Sequence, residues 1–390
     1  MAHDDHRTRL RVAVDATPLL GLLTGVGVFC GGALAAMGPR PGLDVRAFAV
    51  SWRRRRGIEG LLPAGVAARH RPMPARPLHA LWSYSNFPPL EWFVGNVDVV
   101  HGTNFVVPPT SHAAEVMSVH DLTPVRHPEL CDDATLAYPG LIRRALARGS
   151  WVHTDSQYVA DEVVDVFGAD PARVRVVHPG VPELPVLPDA EAAALRRFVL
   201  PVGTGRYCLA VGTAEPRKDL PGLVDAFGKL ATRHPDLSLV LAGPAGWGEA
   251  ALSAAVASSP ARDRVVRTGW VSPRDLAALL AGAAVLAYPS LYEGFGFPPL
   301  QAMRTGVPVV ATRAGSLPEV LGDGALLVSP GNHDDLAQAL DACLTDGAVR
   351  DRLVAVALDG DVRVHTVGLD RVTARRVVAR DRQAHARASG

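Results

Sequence analysis

The chain has 390 residues, 48% of them hydrophobic, and a formal net charge of +1. That length suits two or three domains with full cores, and the near-neutral balance excludes a global field that would draw nucleic acid. The apolar content excludes a disordered or fibrous chain, and no run approaches the ~20 apolar residues of a membrane span.

The opening MAHDDHRTRLRVAVDA holds no apolar signal core, and its LRVAV run (10–14) predicts a first strand. TGVGVFCGGALAAM then reads as a loop opening a helix. Further strands are predicted at 45–50, 97–101, 116–120, 151–154 and 174–177, with helices at 133–148 and 156–167. Asp155 or Ser156 caps the second helix and Gly168 ends it. HPGVPELPVLPDA (178–190) has no periodicity and reads as a linker. After it the alternation restarts, with strands at 207–211, 237–241, 265–268, 284–288, 307–311 and 325–328. Helices are predicted near 220–233, 249–258, 273–281 and 333–344, and in the stretch after Gly296.

Strand–helix alternation implies parallel sheets covered on both faces. The expected architecture is α/β: a first doubly wound, Rossmann-like domain over 1–180, a second over 181–355, and an Arg-rich, partly helical segment over 356–390 that either packs back on the first or stays partly mobile. Ligands in such sheets sit beyond the carboxyl ends of the strands, so a ligand is expected in the cleft between the two domains.

Four short stretches at strand ends carry chemistry. LLTGVG (22–27) follows the first strand. Its glycines let the backbone approach a ligand, and the helix start offers N–H groups to an anion, but it is not GxGxxG. A plain strand-to-helix turn explains it equally well. VHDLTP (119–124) puts His120 at a strand end, where a neutral imidazole can donate to a hydroxyl or phosphate. GTAEPRKD (212–219) holds two adjacent cations: Arg217 is a forked donor and Lys218 a mobile point charge, a pair suited to a diphosphate, with a solvated surface pair as the alternative. LYEGFGFPPLQAM (291–303) places Glu293 before a bare Gly-Phe-Gly and a helix carrying Gln301. A carboxylate there accepts bonds from sugar hydroxyls while the glycine N–H groups face a phosphate.

Other features are weaker. Arg53, Arg54, Arg55 and Arg56 follow Trp52; such a run is usually solvated, and the alternative is contact with anionic lipid or an anionic acceptor. Asp359–Gly360–Asp361 spells D-x-D without a strand before it, and a metal is not expected there. Cys30, Cys131, Cys208 and Cys343 are scattered, which suits free thiols in a reducing cytosol. The expected location is cytoplasmic, with the inner face of the membrane as the alternative.

Taken in order, DATPLLGLLTGVG, HGTNFVVP, SVHDLTPVRHPE, HTDSQYVADEV, VRVVHPGV, AVGTAEPRKDL, LVLAGPAG, TGWVSPRDLAALLAGAAVLAYPSLYEGFGFPPLQAM, GVPVVATRAGSLPEV and GALLVSPGN resemble the retaining glycosyltransferases of family 4, which have the GT-B fold, over about residues 11–344. The resemblance implies roles. Gly25, Val26 and Gly27 would close over the donor phosphates. Arg217 and Lys218 would hold the diphosphate, with Gly212 in the same turn. Val271 would lie beside the nucleotide base. Glu293 and the backbone of Gly294, Phe295 and Gly296 would hold the sugar and the β-phosphate. His120 would sit near the sugar, with Asn104 and Asp121 on the acceptor side.

The family usually has a second glutamate at position 301, bonding the ribose; Gln301 departs from it. The implied activity is metal-independent transfer of a hexose, mannose first, from a GDP- or UDP-sugar to a hydroxyl on a saccharide, lipid-linked or small-molecule acceptor. No bound cofactor is implied. A nucleotide-sugar epimerase of the same fold and a non-catalytic paralogue are the alternatives.

Overall fold

The computed structural model describes residues 9–69, 71–201 and 205–359. They divide into two compact units. One takes in the chain up to Pro179 except 129–131; the other takes in 129–131 and the chain from Gly180 on. Gly360 and Asp361 of the D-x-D, and the tail from 360 on, lie outside the described residues.

The first unit is a parallel sheet of seven strands: β1 (Leu10–Asp15), β2 (Leu43–Phe48), β3 (Val66–Arg69), β4 (Val99–Gly102), β5 (Ala114–Val119), β6 (Trp151–Thr154) and β7 (Val174–Val176). They run in the order β3-β2-β1-β4-β5-β6-β7. The second unit has six parallel strands: β8 (Arg206–Val211), β9 (Leu237–Ala242), β10 (Val265–Gly269), β11 (Val285–Tyr288), β12 (Val309–Thr312) and β13 (Ala325–Val328). Their order is β10-β9-β8-β11-β12-β13. Each order reverses once, between β1 and β4 and between β8 and β11, and these reversals are the switch points where such sheets take ligands.

Alternation along the strands builds a core on each face. In β9, Leu237, Leu239 and Leu241 pack on one side with Cys208 and Ala210 of β8. Val240 and Ala242 pack on the other with Tyr207 and Leu209. All six residues of β9 are buried, which is why LSLVLA is apolar at every position but Ser238 rather than alternating. In the first unit Ala13 joins one core and Val12 and Val14 the other.

The sequence-predicted strands all form. The strand missing from the prediction is β3: its VAAR is short, half-exposed and without an apolar run. Its place is set by a close backbone approach, since a Cβ on Gly65 would stand 2.3 Å from the Gly38 carbonyl, and Gly65 holds φ +83°. Helices also form over Ala75–Trp82 and Glu91–Val94, in the aromatic segment that carried no prediction, and over Asp189–Val199, where the expected linker ends. Ser156 caps the helix Gln157–Phe167 by accepting from the Val159 N–H, and Gly168 ends it at φ +63°. No helix among the described residues is long and apolar enough to cross a membrane. Cys30, Cys208 and Cys343 are buried thiols outside any disulfide, and Cys131 is half-buried.

Candidate functional site

The first unit gathers its polar groups at the carboxyl ends of β1, β4, β5 and β6. His120 follows β5 and is buried. Its Nδ1 lies 2.7 Å from Asp155 Oδ2 and its Nε2 2.8 Å from the Thr103 carbonyl oxygen. Both partners can only accept, so both ring nitrogens donate and the ring is imidazolium. Burial alone would lower its pKa. The Asp155 carboxylate outweighs burial and raises it above the ordinary value of 6.5. The sequence led us to expect a neutral ring with a hydrogen bond to spare. The structure corrects this: the ring is charged and both N–H groups are committed.

Asp155, expected as a helix cap, is instead the counterion of His120, and Ser156 alone takes the cap. Nearby, His153 donates from Nε2 to the Val177 carbonyl (3.1 Å), so its Nδ1 accepts from Ser118 Oγ (3.0 Å), which accepts from His101 Nε2 (2.8 Å). Burial first, then the neighbouring His153 and His120, push His101 down to about 3, so it is neutral. Phe29 stacks on His153 at 5.2 Å and meets His120 edge-on at 5.0 Å.

Phe29 comes from the helix Gly25–Met37, so Gly25, Val26 and Gly27 form the first turn of that helix rather than a loop. A Cβ on Gly27 would stand 3.0 Å from the Pro18 carbonyl, so this glycine serves close packing. Asp15, which sequence reasoning passed over, ends β1. Burial pushes its carboxyl up to about 6 against two bonds from Thr17. Its backbone carbonyl accepts from Thr103 Oγ1, which links it to the His120 group. Asn104 bonds Tyr138, and Asp121 accepts from the Thr123 N–H.

Folding makes the His120–Asp155 pair dependent on pH. A His pKa raised on folding contributes stability that is fully present below about 6.5 and lost as pH rises through the higher folded value. The melting temperature of the wild type is therefore expected to fall above neutrality, and His120→Gln to flatten that part of the curve. Parallel curves for the two proteins would contradict the charged ring.

The second unit holds a denser ion-pair group at its switch point. The turn after β8 carries Arg217 and Lys218; the loop after β11 carries Glu293. Glu293 Oε1 lies 2.5 Å from Lys218 Nζ, and Oε2 lies 2.7 Å from Arg217 Nη1. Arg217 also bonds Glu215 Oε1 (2.7 Å) and the Tyr292 carbonyl (3.0 Å). Lys218 donates to Tyr288 Oη at 2.8 Å and stands 4.8 Å from the centre of that ring. Burial by itself would raise the Glu293 pKa; Arg217 and then Lys218 more than offset it and hold the carboxyl at about 2. Burial likewise opposes the charge on Lys218, and Glu293 raises it regardless.

The loop geometry is tight. Asp219 takes φ +45°, and its carboxylate accepts from the Gly222 N–H at 3.2 Å and faces His333 Nε2 at 3.0 Å. Ser316 holds the Glu293 carbonyl through its N–H at 2.9 Å and its Oγ at 3.2 Å. A Cβ on Gly315, at φ +57°, would stand 2.0 Å from that carbonyl oxygen. Gly315→Ala is expected to cost at least ~2 kcal/mol, from the left-handed backbone and the clash together. The check is the melting temperature; an unchanged value would show that the loop can shift.

Gly294, Phe295 and Gly296 are all buried, and Gly296 takes φ +106° at the start of helix Phe297–Arg304. Gln301 lies in that helix at 8% exposure, and its amide has no hydrogen-bond partner among the described residues. Val271 is half-buried against the core of the same unit that holds Tyr288 and Leu300. Beside Lys218 a cavity of about 300 Å³ opens across the ends of β8, β9 and β10, lined by Gly212, Gly243, Gly269 and Arg267 among others. Gly212 joins the two features, because a Cβ there would stand 3.4 Å from Lys218 Cε.

Comparison with known proteins agrees with this layout. The Glycosyltransferase Family 4 model matches residues 31–183, and the Glycosyl transferases group 1 model matches residues 193–357. O-antigen chain mannosyltransferase B of Escherichia coli is 31% identical over 267 residues, which are 67% of this chain and 68% of that protein. D-inositol 3-phosphate glycosyltransferase of a Nocardioides species is 32% identical over 295 residues, 68% of this chain and 64% of that one. The chain thus spans about two thirds of the length of these relatives. Among solved structures, Anabaena HepE in complex with UDP-glucose is similar at a TM-score of 0.68 and 18% identity, covering 96% of this chain and 100% of that one. With two parallel sheets, two matched models and these relatives, the chain belongs to the GT4-type glycosyltransferases and carries their GT-B fold.

Proposed function

We propose that this glycosyltransferase moves a hexose, mannose in the first instance, from a nucleoside-diphosphate sugar to an acceptor hydroxyl with retention and without a metal. The observation that carries the reading is the Lys218–Glu293–Arg217 group at a switch point, beside a cavity large enough for part of a nucleotide. The mannosyltransferase relative supports the choice of sugar.

Breaking the bond between the anomeric carbon and the diphosphate leaves negative charge on the diphosphate. Two of the three N–H groups of Lys218 go to Tyr288 and Glu293, which leaves one for a phosphate oxygen. Arg217 keeps Glu293 oriented and adds positive charge. Glu293 binds the sugar hydroxyls, and the base enters the cavity next to Gly212, which Leu220, Leu241 and Leu252 line on the sheet face opposite the core that holds Val271. Gln301 offers its unpartnered amide to the ribose. The new bond forms from the acceptor oxygen to the anomeric carbon on the face the diphosphate leaves, and the acceptor proton passes to the departing phosphate oxygen. His120, with both N–H groups taken by Asp155 and the Thr103 carbonyl, orders the strand ends of the first unit.

Labelled GDP-mannose, GDP-fucose, UDP-glucose and UDP-N-acetylglucosamine, each offered with lipid and saccharide acceptors, test the reading. GDP-mannose is expected to raise the melting temperature most and to be turned over equally with or without EDTA. Loss of turnover in EDTA, restored by Mg²⁺, contradicts the metal-free part. No response to any nucleotide sugar at millimolar concentration sinks the whole, and donor conversion without acceptor favours an epimerase.

A further inference from the structure

The loop after β1 and the segment after β2 form one surface of the first unit. Arg54 Nη1 donates to the Leu20 carbonyl at 3.2 Å, and Leu19 and Ile58 share one core with Leu20 packed on it. Buried Ile58 pins the segment to the core, and within it Ser51 Oγ accepts from the Arg54 N–H. What this shared anchor presents outward is unusual for a solvated face. Leu22 is 57% exposed, Trp52 58% and Leu61 53%, with Leu23 beside them at 44%.

Between these apolar groups run four arginines against one carboxylate, Glu59, in the segment 52–61. Arg53, Arg54 and Arg56 are exposed, and none of them pairs with a carboxylate among the described residues. Charge without a counterion, set around an indole and three leucines, matches the interface of an anionic bilayer. There phosphates meet the guanidinium groups, and the indole sits at headgroup depth.

We infer that this surface, centred on Trp52 and Arg53, Arg54 and Arg56, docks the first unit onto an anionic lipid bilayer. The docking is independent of which sugar nucleotide the second unit binds. It needs no membrane-spanning segment, since apolar side chains and basic groups together are the two signals that give reversible binding.

Co-sedimentation with vesicles tests it. The wild type is expected to pellet with phosphatidylcholine vesicles that contain phosphatidylglycerol, to stay in solution with pure phosphatidylcholine, and to be released by added salt. The triple variant R53S/R54S/R56S is expected to bind about a hundredfold more weakly, at about fivefold for each basic group near the surface. Brominated lipid is expected to quench fluorescence in the wild type and much less in Trp52→Phe. Equal binding to neutral and anionic vesicles, or an unweakened triple variant with an unchanged melting temperature, overturns the inference. So does a wild type that ignores vesicles but binds dextran sulfate through the same arginines, because that surface would then serve a soluble anionic saccharide.

Discussion

Replacing Glu293 by alanine is expected to lower the stability of the second unit by roughly 3–5 kcal/mol, the usual cost of removing one partner from a buried ion pair. The substitution leaves Lys218 and Arg217 facing each other in a nearly closed site, at 12% and 16% side-chain exposure, with Glu215 paired to Arg217. Lys218 has no second carboxylate within bonding distance among the described residues, so its charge becomes the costly one. Glu293→Gln keeps an acceptor for one cation and is expected to fall between alanine and wild type. Differential scanning calorimetry measures both.

The pH dependence gives a second reading of the same group. A carboxyl held at about 2 contributes stability above its unfolded value of 4.5 and loses it as pH falls through about 2. The difference between wild type and Glu293→Gln should therefore be constant from pH 5 to neutrality and shrink only in acid. A melting temperature unmoved by Glu293→Ala would mean the ion pairs contribute nothing to the fold.

Lys218→Ala is expected to cut turnover by about 100-fold, the typical effect of deleting one donor aimed at developing negative charge. The loss should appear in kcat more than in KM, because the charge on the diphosphate grows as the bond breaks. Stability should change less than for Glu293→Ala, since Glu293 keeps Arg217 at 2.7 Å. Arg217→Ala is expected to cost at least tenfold in turnover, partly by releasing Glu293 and the Tyr292 carbonyl it holds at 3.0 Å. Unchanged kinetics in both variants would remove the pair from the reaction and leave them as structural ions.

Much of the molecule was legible before the structure. Runs such as LSLVLA and VLAY are β-branched or leucine-rich, short and bounded by turns, so they read as buried parallel strands and form as such. Ser156 and Gly168 bracket a helix by local chemistry alone. Arg217, Lys218 and Glu293 stand out because they lie in the loops that follow β8 and β11. VAAR was not legible as β3, because its position depends on the contact between Gly38 and Gly65, twenty-seven positions apart. Asp155 read only as an alternative cap to Ser156; its actual partner, His120, lies thirty-five positions earlier and comes within reach through the β5–β6 pairing.

The sequence by itself determined the strand and helix periods, the two-sheet α/β class and the family. Those properties rest on nearest-neighbour spacing and on short motifs in a fixed order. The tertiary structure decided the charge states and partnerships: His120 as an imidazolium, Glu293 shared between Lys218 and Arg217, and the leucines after β1 set beside the arginines after β2. Ionisation depends on burial and on charges within a few ångströms, and sheet order brings residues seventy-five positions apart to that distance. No local pattern encodes it.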